Sequence, residues 1–380
     1  MDLSWDGMGR GGWLLWAGGV LASLAGTALF MRDLWRTASE TPTATSVATT
    51  HHPLSSVPFP AVTVCSINRV QRSRPDKRLQ FCTRYSVLIG KANPPETIHE
   101  IEGLESAGLS REAYNQFLFN MVDMALPEES TSVSEDAIAV QTFLLAKNYT
   151  LGSVMKQVTQ PCEEMALQCR WRGKSCKCKE LFRRRKTDAG YCCSFNYESV
   201  RTNAAGLLSG VTVLLDPQLE DYQAATFSFY GFQVLVHSPV EFPDVIARGH
   251  IVKPASEAFL QVTAEQTMST DAVRRLSLQQ RQCLYPNEGG YATARIDYSR
   301  SNCLTACRAR HMMRRCRCVP YFYPSVLRFF SSFKPDSGEV SGDESGMSCD
   351  CYPGCFDIAY YLSATSGWLF QSQYDTTKFL

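Results

Sequence analysis

Ser301-Asn302-Cys303-Leu304-Thr305-Ala306-Cys307-Arg308 and Cys349-Asp350-Cys351-Tyr352-Pro353-Gly354-Cys355 are two cysteine-bearing stretches whose spacings fit each other. On a helix Cys303 and Cys307 stand one above the other on one face, about 6 Å apart along the axis. On an extended segment Cys349 and Cys351 also share a face, about 6.7 Å apart. A helix starting near residue 303 can therefore be riveted to a strand by Cys303–Cys351 and Cys307–Cys349, with Cys283–Cys355 closing the base. In the chain-entropy picture a loop of that size contributes roughly 4 kcal/mol, though nested bridges do not add simply. The eight cysteines from 283 to 355 allow 105 connectivities, so spacing singles this one out without excluding the rest. Cys316 and Cys318 cannot share a helical face, and the helix is expected to end just before them.

Sixteen cysteines in 380 residues point to an oxidising compartment. Zinc, the cytosolic alternative, favours C-x2-C knuckles, whereas the spacings here are Cys176-x-Cys178, Cys316-x-Cys318 and Cys349-x-Cys351. The histidines at 51, 52, 99, 237, 250 and 311 never fall into a ligand spacing, and no metal or cofactor is expected. Neither a nucleophile elbow nor a phosphate loop is present, which argues against an enzyme with catalytic residues. A net charge of +1 creates no field that would draw a nucleic acid. The sequon Asn148-Tyr149-Thr150 marks Asn148 as a glycosylation site on an extracellular loop.

Trp13–Met31 is free of charge between Arg10 and the pair Arg32–Asp33. As a helix it spans roughly 28 Å, close to the ~30 Å of a bilayer core. Gly18, Ala22 and Gly26 recur every fourth residue, a spacing that lets membrane helices approach closely. A signal peptide is the competing reading, with Ala22, Ala25 and Ala28 offering cleavage-like sites. The cysteines place everything after residue 33 outside the cell. The positive-inside rule does not support this orientation, since Arg32 and Arg36 follow the helix. No other window approaches eighteen apolar residues, so the chain as given is single-pass.

Residues 36–58 read as an extended neck. Phe59-Pro60-Ala61-Val62-Thr63-Val64-Cys65 reads as a strand, 109–126 as an amphipathic helix, and 136–158 as a helix interrupted at the sequon. Cys162–Cys193 is loop-rich and basic. Its cations, including Arg183–Lys186, are best read as a solvated face. In a strand, adjacent Cys192 and Cys193 point to opposite faces and should serve two bridges. Strands are expected at 206–215, 229–236 and 257–264.

These residues together resemble the degenerin/epithelial sodium channel family. Phe59–Cys65 is similar to the FPAVTxC signature after that family's first membrane helix, and Gly190-Tyr191-Cys192-Cys193-Ser194-Phe195-Asn196 to its GxCYxFN strand. Gly231–Pro239, Gln280–Leu284, Ser301–Arg308 and Cys318-Val319-Pro320-Tyr321 resemble the insect pickpocket branch. Cys349–Cys355 resembles the closing CxCxxxC. The matches run from about 13 to 368 in the family's order and spacing.

The resemblance implies an α+β membrane protein with one N-terminal transmembrane helix and a large disulfide-rich extracellular domain. That domain would be a palm and β-ball sheet core with a helical finger and thumb. The expected division is a cytoplasmic 1–10, a membrane helix at 11–32, a neck at 33–58 and an ectodomain at 59–380, with the finger at about 80–185 and the thumb at about 270–355. By resemblance Cys65 pairs with Cys192 and Cys169 with Cys176, and the thumb carries the ladder described above. Partners for Cys82, Cys162, Cys178, Cys193, Cys316 and Cys318 stay open. The implied function is a subunit, or a fragment of one, of a trimeric amiloride-sensitive sodium channel of the plasma membrane. Its partners would be other channel subunits in a homo- or heterotrimer, the lipid bilayer and sodium ions.

Three departures qualify this. The family continues into a second membrane helix bearing a G-x-S selectivity filter, which this chain does not carry. The cytoplasmic His-Gly motif is missing, and residues 331–347 look like loop where the family has two more thumb cysteines. No carboxylate-lined proton pocket is assigned, because the thumb helix is basic, with Arg308, Arg310, Arg314, Arg315 and Arg317. The alternatives are a non-conducting single-pass modulator of full-length subunits and an unrelated cysteine-rich receptor ectodomain. Gly18, Ala22 and Gly26 are expected to pack against a pore-lining helix.

Overall fold

The computed structural model describes residues 10–40, 43–72, 107–123, 134–196, 200–202, 204–288, 298–323 and 349–369. Cys82, the loop 331–347, most of the cytoplasmic segment and part of the expected finger lie outside these residues.

Strand β1 (Ala61–Ser66) is the centre of the fold. It stands third in a five-stranded sheet of order β10-β9-β1-β6-β5. Its neighbours are β9 (Phe232–His237) and β6 (Gly190–Phe195), both antiparallel to it, with β5 (Phe182–Thr187) and β10 (His250–Val252) at the edges. The β-branched run Val62-Thr63-Val64 suits such a strand, and five of its six residues are buried because both sheet faces are covered. Val62 and Val64 face an apolar cluster of Phe182, Phe195, Phe232 and Met165. Cys65 faces a second one, with Leu235 and Val245.

Cys192 and Cys193 sit back to back on β6, one in each cluster. Cys192 bonds Cys65 and Cys193 bonds Cys162, so neighbouring residues tie the sheet through both faces. Asn196 follows in the left-handed region at φ 56°. Its Nδ2 donates to the carbonyls of Phe59 and Pro60, and its Oδ1 accepts from Val200 N at 2.6 Å. The terminal Asn of the GYCCSFN stretch thus holds the entrance to β1.

A helical layer packs beside the sheet. Helices α2 (Arg111–Asp123), α3 (Glu135–Ala146) and α4 (Leu151–Val158) bury Phe117, Leu118, Val140, Leu144 and Met155 together with Val70 and Ala224. The break between α3 and α4 falls at the sequon. Asn148 takes φ 61°, and Thr150 and Ser153 form a reciprocal capping box that starts α4.

A three-stranded sheet joins β3 (Ala166–Trp171), β4 (Lys174–Cys176) and β7 (Val211–Leu215). Here the expectation for Cys169 is corrected. Cys169 bonds Cys178 instead of Cys176, and among the described cysteines Cys176 is a free thiol. After β4 the chain turns so that Cys176 and Cys178 both pack against the apolar cluster that holds Cys169, and the bridge forms with Cys178.

Two 13-residue strands, β11 (Ser256–Met268) and β12 (Phe356–Trp368), form a separate antiparallel ribbon. Sequence reading found only the first half of β11 and missed β12. Helix α5 (Arg300–Cys316) lies beside this ribbon's base, N-capped by Ser299 and ended by Arg317 at φ 54°. It is joined to the segment before β12 by Cys303–Cys351 and Cys307–Cys349, and Cys283–Cys355 closes the base.

Helix α1 runs unbroken from Arg10 to Glu40. It is the one described helix long and apolar enough to cross a membrane, and none of its apolar window is buried. Gly18, Ala22 and Gly26 are exposed, and a Cβ added at either glycine would meet nothing within 4 Å.

Replacing Cys65 and Cys192 together by alanine should cost about 2–5 kcal/mol in denaturant unfolding of the detergent-purified chain, the usual toll for a native bridge. The same replacement of Cys303 and Cys351 should cost less, because Cys307–Cys349 still holds α5. Equal losses would refute the idea that the central bridge carries more of the fold.

Candidate functional site

The contacts that connect α5 to the central sheet converge on the loop from Pro239 to Asp244. Asn302, in the first turn of α5, donates from Nδ2 to Val240 O at 2.9 Å and accepts from Phe242 N at 2.8 Å. One side chain therefore satisfies two backbone groups of a loop that has no strand partner. Six residues along the helix, Arg308 Nη1 stands 3.5 Å from Asp244 Oδ2. Beyond the helix, Tyr323 stacks on Phe242 with ring centroids 6.2 Å apart.

Asp188, in the β5–β6 turn, meets the same loop from the sheet side. Its two carboxylate oxygens accept from Val245 N at 2.6 Å and Ile246 N at 3.0 Å. Burial, with Asp244 beside it, pushes the Asp188 carboxyl up to about 7, while the two backbone bonds pull the other way. Glu241, three residues before Asp244, is likewise pushed up to about 7 by burial, opposed by Arg248 and reinforced by Asp357. The sequence signalled no carboxyl cluster here, because Asp188, Glu241 and Asp244 come from two separate turns. Only the basic helix was visible, and its Arg308 proves to pair with Asp244.

Tyr321 ties the end of the helical segment to the sheet a second time. Its carbonyl accepts from Lys186 Nζ at 2.7 Å, its ring stacks against Tyr191 at 6.2 Å, and its hydroxyl lies 3.0 Å from the position a Cβ on Gly190 would take. Gly190, at φ 98°, is therefore required twice, by its backbone conformation and by this approach.

The segment that precedes α5 leads toward α1. Leu284 bridges Gly354 beside Cys283–Cys355, and Tyr285 lies under Arg274 and Arg281 at 4.8 and 5.2 Å from its ring centre. Arg281 pairs with Glu288 at 2.6 Å, and the turn Leu278–Arg281 contacts α1. The neck is held separately. Arg201 donates to the carbonyls of Ser55 and Ser56, and Tyr360 of β12 donates to Pro58 O at 2.9 Å. Of the residues singled out from sequence, the three ladder bridges belong to this junction. Asn148 is exposed at its own turn, and Gly18, Ala22 and Gly26 lie apart on α1.

The buried chain Ser194–Thr63–His237 crosses the sheet below the junction. His237 Nδ1 donates to Ser238 O at 2.8 Å, which leaves Nε2 to accept from the Thr63 hydroxyl at 2.8 Å, and Thr63 accepts from Ser194 at 2.7 Å. Burial holds His237 neutral and lowers its pKa to about 4.

Two pH effects of opposite sign follow. His237, with a folded pKa below the free value of 6.5, contributes stability that is complete above 6.5 and lost as pH falls through about 4. Asp188 and Glu241, raised to about 7, contribute stability that is complete below their free values and lost as pH rises through about 7. Above pH 6.5 the His237 contribution is nearly complete, while the loss from the two carboxyls continues through about 7. From pH 6.5 to 8 the melting temperature of the purified chain should fall as pH rises, and Asp188→Asn should flatten the slope. Arg69, Asp244, Arg308 and Tyr323 share this electrostatic environment and remain in both proteins. Equal slopes for the two proteins would contradict the assignment.

Known proteins match this chain in sequence over most of its length. Pickpocket protein 28 of Drosophila melanogaster is 24% identical over 384 residues, covering 87% of this chain and 56% of that protein. Sodium channel protein Nach of Drosophila ananassae is 26% identical over 288 residues, covering 74% and 51%. The bile acid-sensitive ion channel of Homo sapiens is 24% identical over 341 residues, covering 84% and 58%. The chain thus spans little more than half the length of these relatives. The family model described as amiloride-sensitive sodium channel matches residues 8–379, and the chain belongs to that family of ion channels, which are not enzymes.

Proposed function

We propose that the chain is a subunit, or a portion of one, of a trimeric sodium channel in the plasma membrane, sensitive to amiloride. The observation that carries this reading is the family match from residue 8 to 379, which includes both the apolar helix and the whole bridged domain. In this reading α1 is the first membrane helix, the β1 sheet and the β11–β12 ribbon are palm and β-ball, α2–α4 belong to the finger, and α5 with its ladder is the thumb. The expected boundaries at 11–32, 33–58, about 80–185 and about 270–355 are kept as part of the proposal.

The junction gives such a subunit a route for coupling. The thumb grips the sheet through Asn302, Arg308 and Tyr321 along its length, and its base reaches α1 through the turn Leu278–Arg281. Motion of the thumb against the Pro239–Asp244 loop would then be felt at the helix. Sodium passage itself requires a pore built by several membrane helices. The small-residue face of α1, where a Cβ added at Gly18 or Gly26 meets no described residue within 4 Å, is the surface on which a partner helix would pack.

Co-expressed with a full-length pickpocket-type subunit, the chain should co-purify and change the amiloride-sensitive sodium current. A chain that stays apart and leaves both current and surface amount unchanged would overturn the proposal. Gly18→Leu with Gly26→Leu should reduce co-purification several-fold while leaving the chain's own bridges intact by non-reducing peptide mapping. Asn148→Gln should abolish a glycosidase-sensitive shift on gels, and an unshifted parent protein would remove Asn148 as a glycan site.

A further inference from the structure

The β3–β4 hairpin holds three cysteines where a single bridge needs two. Its turn is Arg172-Gly173, with φ 53° and 71°, the paired left-handed conformation that suits a two-residue hairpin loop. That turn fixes the register as Trp171 opposite Lys174, Arg170 opposite Ser175 and Cys169 opposite Cys176. Directly opposed residues of an antiparallel pair have Cα atoms about 4.5–5.5 Å apart, inside the range a disulfide spans. Yet Cys169 is bonded to Cys178, whose Cα is 5.3 Å away, and Cys176 keeps a free thiol. That thiol lies against the residue it does not bond, with Cys176 Sγ 3.6 Å from Cys169 O. Cys169 therefore has two partners within reach at once.

We propose that Cys169, Cys176 and Cys178 form an internal thiol–disulfide exchange unit, in which the bridge passes between Cys169–Cys178 and Cys169–Cys176. The Cys176 thiol gives up its proton, and the thiolate attacks Cys169 Sγ. A Cys176–Cys169 bond forms while the Cys169–Cys178 bond breaks. The released electron pair stays on Cys178 Sγ, which takes up a proton. Disulfide and thiol are both conserved, so the step consumes no oxidant or reductant. Attack on Cys178 instead would join residues only two apart, which leaves Cys169 as the productive target.

The exchange has a mechanical result. Cys178 opens the helical turn Cys178–Leu181, which leads directly into β5, the edge strand of the central sheet. With Cys169–Cys178 closed, this lead-in is pinned beneath β3 beside Leu181 and Phe182. With Cys169–Cys176 closed, the bridge lies wholly within the hairpin, and the lead-in to β5 loses its covalent tie to β3. Burial raises the Cys176 thiol above its ordinary value, with Glu180 adding to the shift, so exchange is slow at neutral pH and accelerates in base.

Tryptic mapping of the full chain resolves the two states, because Arg170, Arg172, Lys174 and Lys177 separate the three cysteines into different peptides. Protein incubated without added thiol, quenched in acid and alkylated should yield both the 169–178 and the 169–176 linked peptides. The alkyl label should be shared between Cys178 and Cys176. The rate of approach to that mixture should rise about tenfold per pH unit from 7 to 8, following the thiolate fraction. Cys176→Ser should leave the 169–178 peptide as the single linked form, and Cys178→Ser should yield the 169–176 peptide. Label confined to Cys176 in the parent protein at both pH values, however long the incubation, would overturn the proposal without reference to either variant.

Discussion

Strand β6 has to satisfy two apolar clusters at once, and adjacent cysteines are the means. Cys192 reaches Cys65 through one face of the sheet and Cys193 reaches Cys162 through the other. Side chains of successive strand residues point oppositely, so no other pair of neighbours could fasten both layers to the same two residues of backbone. The apolar clusters on either side are modest, and one holds only five buried residues. Covalent fastening at the centre therefore substitutes for the hydrophobic area that a larger single core would bury.

Polar groups at the same centre are satisfied just as locally. Arg69 is fully buried, donates to Thr226 at 2.7 Å and reaches Gln233 and the Cys192 sulfur, and burial lowers its pKa to about 10. With the Ser194–Thr63–His237 chain, this makes the sheet interior a mixture of apolar packing and closed hydrogen-bond networks. Such networks specify a single register, since a slip by one residue would strand every member without a partner.

What the sequence made legible was periodic or covalent. The i,i+4 and i,i+2 cysteine spacings describe the α5 ladder, the β-branched run describes β1, and the apolar run describes α1. The Cys169 pairing was not legible, because C-x-C offers two sulfurs to one partner and both pack against the same apolar cluster. Strand β12 hid behind its own composition: Tyr360, Tyr361, Ser363, Thr365 and Ser366 carry weak alternation, and its order comes from thirteen paired residues on β11. The Asp188–Asp244–Arg308 cluster was invisible for another reason. Its members lie far apart in the chain, and only the folded loop Pro239–Asp244 brings them together.

Helix α1 does not stop where the apolar run stops. It continues as one helix from Arg32 to Glu40, about 13.5 Å past the end of the apolar run at Met31, at 1.5 Å per residue. With no proline in that stretch and no break in its helix, the segment behaves as a rod roughly 46 Å long. A tilt of about 10° around its midpoint moves each end by about 4 Å, close to the spacing between neighbouring strands. The neck residues that follow are therefore carried by the end of a lever, and a small change in helix angle reaches them as a displacement of several ångströms.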